Sequence, residues 1–115
     1  MSRSPIEYLR LILDEISYIE DAICDIEEAD FLVDETLKRS FVRSIEIIGE
    51  AVKKIPVDFK DKHRDVDWKR IAGMRDRLIH DYFWVDYHIV WDVATNKLPE
   101  LKQKINQIMN DEGGS

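Results

Sequence analysis

Arg75, Asp76, His80 and Tyr82 fall within eight residues, in the stretch Gly73-Met74-Arg75-Asp76-Arg77-Leu78-Ile79-His80-Asp81-Tyr82-Phe83. An arginine offers a permanent, planar cation that fits phosphoryl oxygens, and a histidine can take or give a proton near neutral pH. Those are the parts for cutting RNA without a metal. The ribose 2′-hydroxyl already lies beside its phosphate, so catalysis needs a base for that hydroxyl, an acid for the leaving 5′-oxygen and a cation for the charged phosphorane. One histidine does not readily serve as acid and base at once. A symmetric dimer with two such strips across a shared groove supplies both, and Gly49 or Gly73 is small enough to allow the approach.

Geometry on a helix is compatible with this chemistry. If the strip is one α-helix, Arg75 and Tyr82 share a face, while His80 lies about 140° round and about 7.5 Å along the axis from Arg75. Asp76 and His80, four apart, can then hydrogen-bond and orient the imidazole. The plain alternative for Arg75 and His80 is a surface ion-pair network with Asp76 and Asp81. Lys69, Arg70 and Arg77 are further candidates for RNA phosphates, with no spacing that singles out one of them.

Charge is uneven along the chain. The net charge of the 115 residues is −7, which at face value opposes nucleic acid. Yet residues 1–37 hold two basic and eleven acidic side chains, whereas residues 38–80 hold twelve basic and seven acidic. The basic segment contains Arg75, and screening confines each charge to about 8 Å at physiological salt, so a local basic surface can still neutralise phosphates. Solvated helix faces would account for the same distribution. Apolar residues make up 44% of the chain and are dispersed, without the ~20-residue run that crosses a bilayer. A soluble, cytoplasmic protein is expected. The single Cys24 reads as a core filler, and no Cys/His metal cluster or cofactor motif is visible.

The elements that must position the strip read as helices throughout. Ser4-Pro5-Ile6-Glu7 has the form of a capping box with proline at the first turn. Leu9, Ile12, Leu13, Ile16, Ile19 and Ile23 then recur at helical spacing, predicting a helix to about Asp25 with an acidic outer face. Asp30–Asp34 reads as a break. Asp34 caps a second helix, Glu35 to about Ile55, with Leu37, Phe41, Ile45, Ile48 and Val52 inward; Gly49 within it points to a close helix contact. Residues 56–65 read as a loop with at most a short helical turn, and His63 there as a surface residue. Asp67 caps a third helix carrying the strip, with Ile71, Met74 and Leu78 inward. Asp86 starts a fourth, and Asn96–Glu100 reads as a turn into a last helix. Trp68 and Trp91 read as core, Trp84 and Tyr87 as packing residues, and His88 as a partner of Asp92. The expected fold is an all-α, up-and-down bundle of four main helices plus a short one, a single domain over residues 1–110 with a disordered tail at 111–115.

The wider pattern resembles a known family. Arg75-x-x-x-x-His80-x-Tyr82, with a polar residue after the arginine, is similar to the signature of the HEPN superfamily, and specifically of HepT-like toxins. Ile48-Gly49-Glu50-Ala51, Trp68 through Arg75, Val90-Trp91 and Leu98-Pro99-Glu100-Leu101 extend the resemblance over essentially the whole chain. It implies a metal-independent endoribonuclease toxin, active as a homodimer and paired with a minimal nucleotidyltransferase antitoxin of the MntA type. On that pattern Arg75 and His80 match the catalytic pair, Asp76 the polar residue, and Tyr82 the tyrosine that the antitoxin adenylylates. Asp81 departs from the family, which often has glycine there, and adds a negative charge beside His80. The alternative from the residues is a non-catalytic helical adaptor that presents substrate to a nucleotidyltransferase.

Overall fold

Four short polar side chains set the starts of the helices. In the computed structural model, which describes residues 3–80 and 84–113 and gives only the backbone at Ile79 and His80, helix α1 spans Pro5–Ile23. Ser4 Oγ accepts from the Glu7 amide and the Ser4 amide donates back to Glu7 Oε1, completing the capping box. Asp34 accepts from the Leu37 amide at the start of α3 (Glu35–Lys54). Asp67 does the same for the Arg70 amide at α5 (Trp68–Ala72), and Asp86 accepts from the His88 and Ile89 amides at α7 (Tyr87–Asp92). Between these lie α2 (Glu28–Leu32), α4 (Val57–Lys62) and α6 (Met74–Leu78). The last helix, α8, spans Leu98–Asp111.

The fold is all-α. Leu9, Ile12, Ile16 and Ile19 of α1 meet Phe41, Ile45, Ile48 and Val52 of α3 and Leu101, Ile105 and Ile108 of α8 in one buried core. Each of these side chains contributes roughly 1.5–3 kcal/mol by leaving water. Phe31 of α2 closes one end, its ring 5.1 Å from Phe41 and 5.3 Å from Trp91. Among the described residues no helix is long and apolar enough to cross a membrane.

Several expectations are corrected. A first break falls at Cys24–Glu27, and the expected break at Asp30–Asp34 narrows to Val33–Asp34 because α2 runs through Leu32. Cys24 follows the end of α1 and is exposed rather than a core filler. The third helix is interrupted at Gly73 and stops at Leu78. Ile79–His80 (β1) then pairs antiparallel with Trp84–Val85 (β2), Ile79 opposite Val85 and His80 opposite Trp84. Branched and aromatic residues favour such an extended ladder, and the Asp86 amide closes it by donating to the Leu78 carbonyl at 2.8 Å.

Asn96–Glu100 is not a turn. Val93–Lys97 forms a π-helical turn that joins α7 directly to α8, with the Leu98 amide reaching back to the Val93 carbonyl. Pro99 lies in the first turn of α8, where its missing N–H matters least, and the widened turn gives its ring room. The four main helices are therefore three long helical runs with short helices between them.

The histidines also depart from expectation, His88 in its partner and His63 in its burial. His88 pairs through Nδ1 with Glu28 Oε2 at 2.9 Å, while Asp92 accepts from Asn96. His63 is buried, its Nε2 2.7 Å from Glu112 Oε2, and its carbonyl accepts from Trp68 Nε1. Asp111 ends α8, and Glu112 is also bonded by Lys62 at 3.2 Å, so the expected disordered tail does not begin at 111. The hydrogen bond from His63, then that from Lys62, holds the Glu112 carboxyl below the ordinary carboxylate range. A carboxylate lowered in this way stabilises the fold above its unfolded pKa of about 4.3, and that contribution is lost as pH falls through the folded value. Glu112→Gln is expected to lower the melting temperature at pH 7, and its melting curves should converge on the wild type as pH drops below about 4.3. A pH-independent difference would show that the clamp acts through packing alone.

Candidate active site

The site is built where α3 supports the α5–α6 segment. Gly49 of α3 lies under the end of α5, where an added Cβ would stand 3.3 Å from the Ala72 carbonyl oxygen. The close helix contact expected at Gly49 is thus made inside the chain. Among the described residues, a Cβ at Gly73 would meet the Lys69 and Arg70 carbonyls of its own segment, at 3.5 and 3.9 Å.

One turn before Gly49, Glu46 reaches Arg75. Its Oε2 accepts from Arg75 Nε at 2.8 Å, and Arg75 Nη1 lies 3.9 Å from Asp76 Oδ1. The Arg75 side chain is 49% exposed and Glu46 only 29% exposed. Glu46 therefore holds one edge of the guanidinium, and the side chain remains open to solvent at the rim of a cleft of about 200 Å³. Arg43, Gly49, Glu50, Lys53, Ala72 and Asp76 complete that cleft. Glu46 is the site residue that the sequence reading missed. It stands 29 residues from Arg75, beyond the reach of any local spacing rule.

His80 lies on β1, beyond the end of α6. The expected helical relations among Arg75, Asp76 and His80 are therefore replaced: Arg75 and Asp76 are carried by a helix and His80 by a strand. The four-apart pairing of Asp76 with His80 has no helix to support it. The Asp76 side chain is 80% exposed. Tyr82 and Asp81 lie outside the described residues.

The additional basic candidates separate. Arg70 and Arg77 line a second cleft of about 260 Å³ between the α5–α6 segment and α8, where Lys97 and Lys104 join them over Ile71, Met74 and Leu101. Asp67 and Glu100 also border this cleft, and Lys104 is paired with Glu100. Lys69 lines a different surface with Lys60 and Arg64. Four cations against two carboxylates leave the second cleft net positive on an acidic chain, a surface that can attract phosphate.

Comparison with known proteins finds relatives over nearly the whole chain. The chain is 46% identical over 110 residues to a "Putative RNase" of Caldanaerobacter subterraneus subsp. tengcongensis, covering 96% of this chain and 98% of that one. It is 42% identical over 108 residues to a "Probable ribonuclease HepT" of Thermococcus cleftensis, covering 94% and 98%. A "Putative RNase" of Methanocaldococcus jannaschii is 42% identical over 103 residues, covering 87% and 89%. No solved structure matches. The family described as Ribonuclease HepT-like matches residues 12–108, a span that contains the α3 support, Arg75, His80 and most of the last helix, and the chain belongs to that family.

Proposed function

We propose that this protein is a metal-independent endoribonuclease that acts as the toxin of a toxin–antitoxin pair in the cytoplasm. The observation that carries the reading is the half-exposed Arg75 guanidinium, held on one edge by Glu46 and followed five residues later by His80, in a chain of the HepT-like family. Arg75 binds the phosphoryl oxygens and stabilises the charge that develops as the 2′-oxygen attacks. His80 moves the proton, as base or as acid, and a second copy of the chain supplies the other role. Arg70 and Arg77, with Lys97 and Lys104, bind flanking phosphates of tRNA or mRNA.

Silencing follows from Tyr82, two residues beyond His80. Its adenylylation by a minimal nucleotidyltransferase antitoxin of the MntA type brings a phosphate and a base to the surroundings of the catalytic pair. RNA is then excluded by charge and bulk. The test is intact mass together with cleavage of tRNA and mRNA in EDTA, for the wild type and for His80→Ala. Cleavage by the unmodified wild type, lost in His80→Ala with the oligomer unchanged, is the expected result. Full-length RNA from a wild type of unmodified mass would instead favour a non-catalytic adaptor, whereas inactivity with a mass excess of one or more AMP units identifies the silenced form.

A further inference from the structure

Trp84 is 70% exposed, an unusual position for the largest apolar side chain. The other two tryptophans behave differently: Trp68 is buried, with its Nε1 bonded to the His63 carbonyl, and Trp91 packs on Phe31. Strand geometry explains how the exposure arises. Successive strand residues face opposite ways, and Val85 is the one turned toward the core, which leaves Trp84 outward. The indole is nevertheless carried on a fixed backbone. Its strand pairs with β1, the Asp86 amide is bonded to the Leu78 carbonyl, and the Asp86 side chain caps α7. The ladder places Trp84 directly opposite His80, and Cα atoms paired in this way lie about 4.5–5.5 Å apart.

We propose that Trp84 is a base-stacking residue of the RNA site, resting on the ribonuclease reading above. A nucleotide with its ribose or phosphate at His80 has its own or its neighbour's base within reach of the indole. Stacking suits a single strand, whose unpaired bases expose their π-faces. An aromatic platform also binds without regard to sequence, and it complements the cations of the Arg70–Arg77 cleft, which grip only the backbone. Trp84 therefore positions the substrate and takes no part in proton transfer.

The experiment uses full-length protein in the His80→Ala background, so that RNA binds without being cut. A short single-stranded RNA of mixed sequence is titrated while tryptophan fluorescence and affinity are followed. Quenching of the exposed fluorophore is expected. Adding Trp84→Phe should abolish most of the quenching yet keep the affinity, and adding Trp84→Ala should weaken binding about tenfold. In the otherwise wild-type enzyme, Trp84→Ala should raise KM for RNA far more than it lowers kcat. Unchanged affinity and KM in Trp84→Ala, beside a wild type that cuts RNA, overturns the stacking role. So does a Trp84→Ala variant that becomes monomeric in sedimentation and loses RNA cleavage only for that reason, because the indole then belongs to an interface between copies. If the unmodified wild type neither binds nor cuts RNA, it is the ribonuclease reading that fails, and the stacking role falls with it.

Discussion

Arg75→Ala is expected to reduce kcat for RNA cleavage by about 10²–10³-fold, the usual cost of removing one preorganised donor from a charged transition state. His80→Ala should cost about 10²–10⁴-fold, the range for a positioned proton-transfer group. Arg75→Ala should not unfold the protein: the Arg75 side chain is half exposed, and its pairing with Glu46 at the surface stabilises by no more than about 1 kcal/mol. Arg75→Lys keeps the charge but loses the planar fork, and activity should stay well below the wild type. Glu46 separates positioning from chemistry. Glu46→Ala frees the guanidinium to swing, so kcat should fall by roughly tenfold while RNA affinity holds or rises with the loss of a negative charge. Glu46→Gln, which can still accept from Nε, should recover most of the rate. Equal losses in both Glu46 variants would mean that its charge, and not its hydrogen bond, matters for Arg75.

Gly49→Leu should damage stability and activity together. The Cβ position is already 3.3 Å from the Ala72 carbonyl oxygen, so every further atom of a leucine must displace backbone rather than a flexible side-chain tip. Overpacking of this kind costs about 1–3 kcal/mol, which for a domain of this size is roughly 4–12 °C of melting temperature. The displaced element is α5, directly ahead of Arg75, so cleavage measured well below the melting temperature should fall as well. A variant that melts early yet cuts RNA normally would show that the seat of α5 does not control the position of Arg75.

Local signals were legible, and distant ones were not. Ser4, Asp34, Asp67 and Asp86 announce their helices because a cap bonds an amide two or three residues away, inside the window that sequence spacing covers. The apolar stripes of α1 and α3 are readable for the same reason. The end of α6 was not readable: Leu78 is followed by neither glycine nor proline, and what stops the helix is pairing with residues 84 and 85. Pro99 misled because a proline after polar residues suggests a turn, whereas the chain accommodates it by widening one turn of a continuing helix. His63 is buried by a carboxylate 49 residues away, and no local pattern carries that information. Of the site, Arg75 and His80 were visible as a motif, while Glu46 and the Lys97–Lys104 side of the second cleft exist only once the helices are packed.

The two contacts between α3 and the α5–α6 segment have matched spacing. Glu46 meets Arg75, and Gly49 meets Ala72, so a step of three residues along one element answers a step of three in the reverse direction along the other. Such a pair of pins fixes alignment in a way that a single contact does not. Sliding α5 and α6 by one residue, about 1.5 Å, would drive a side chain into the Gly49 gap in the same movement that pulls the guanidinium off its carboxylate. Intermediate alignments are thereby penalised twice, and the arginine is either in register or wholly out of it.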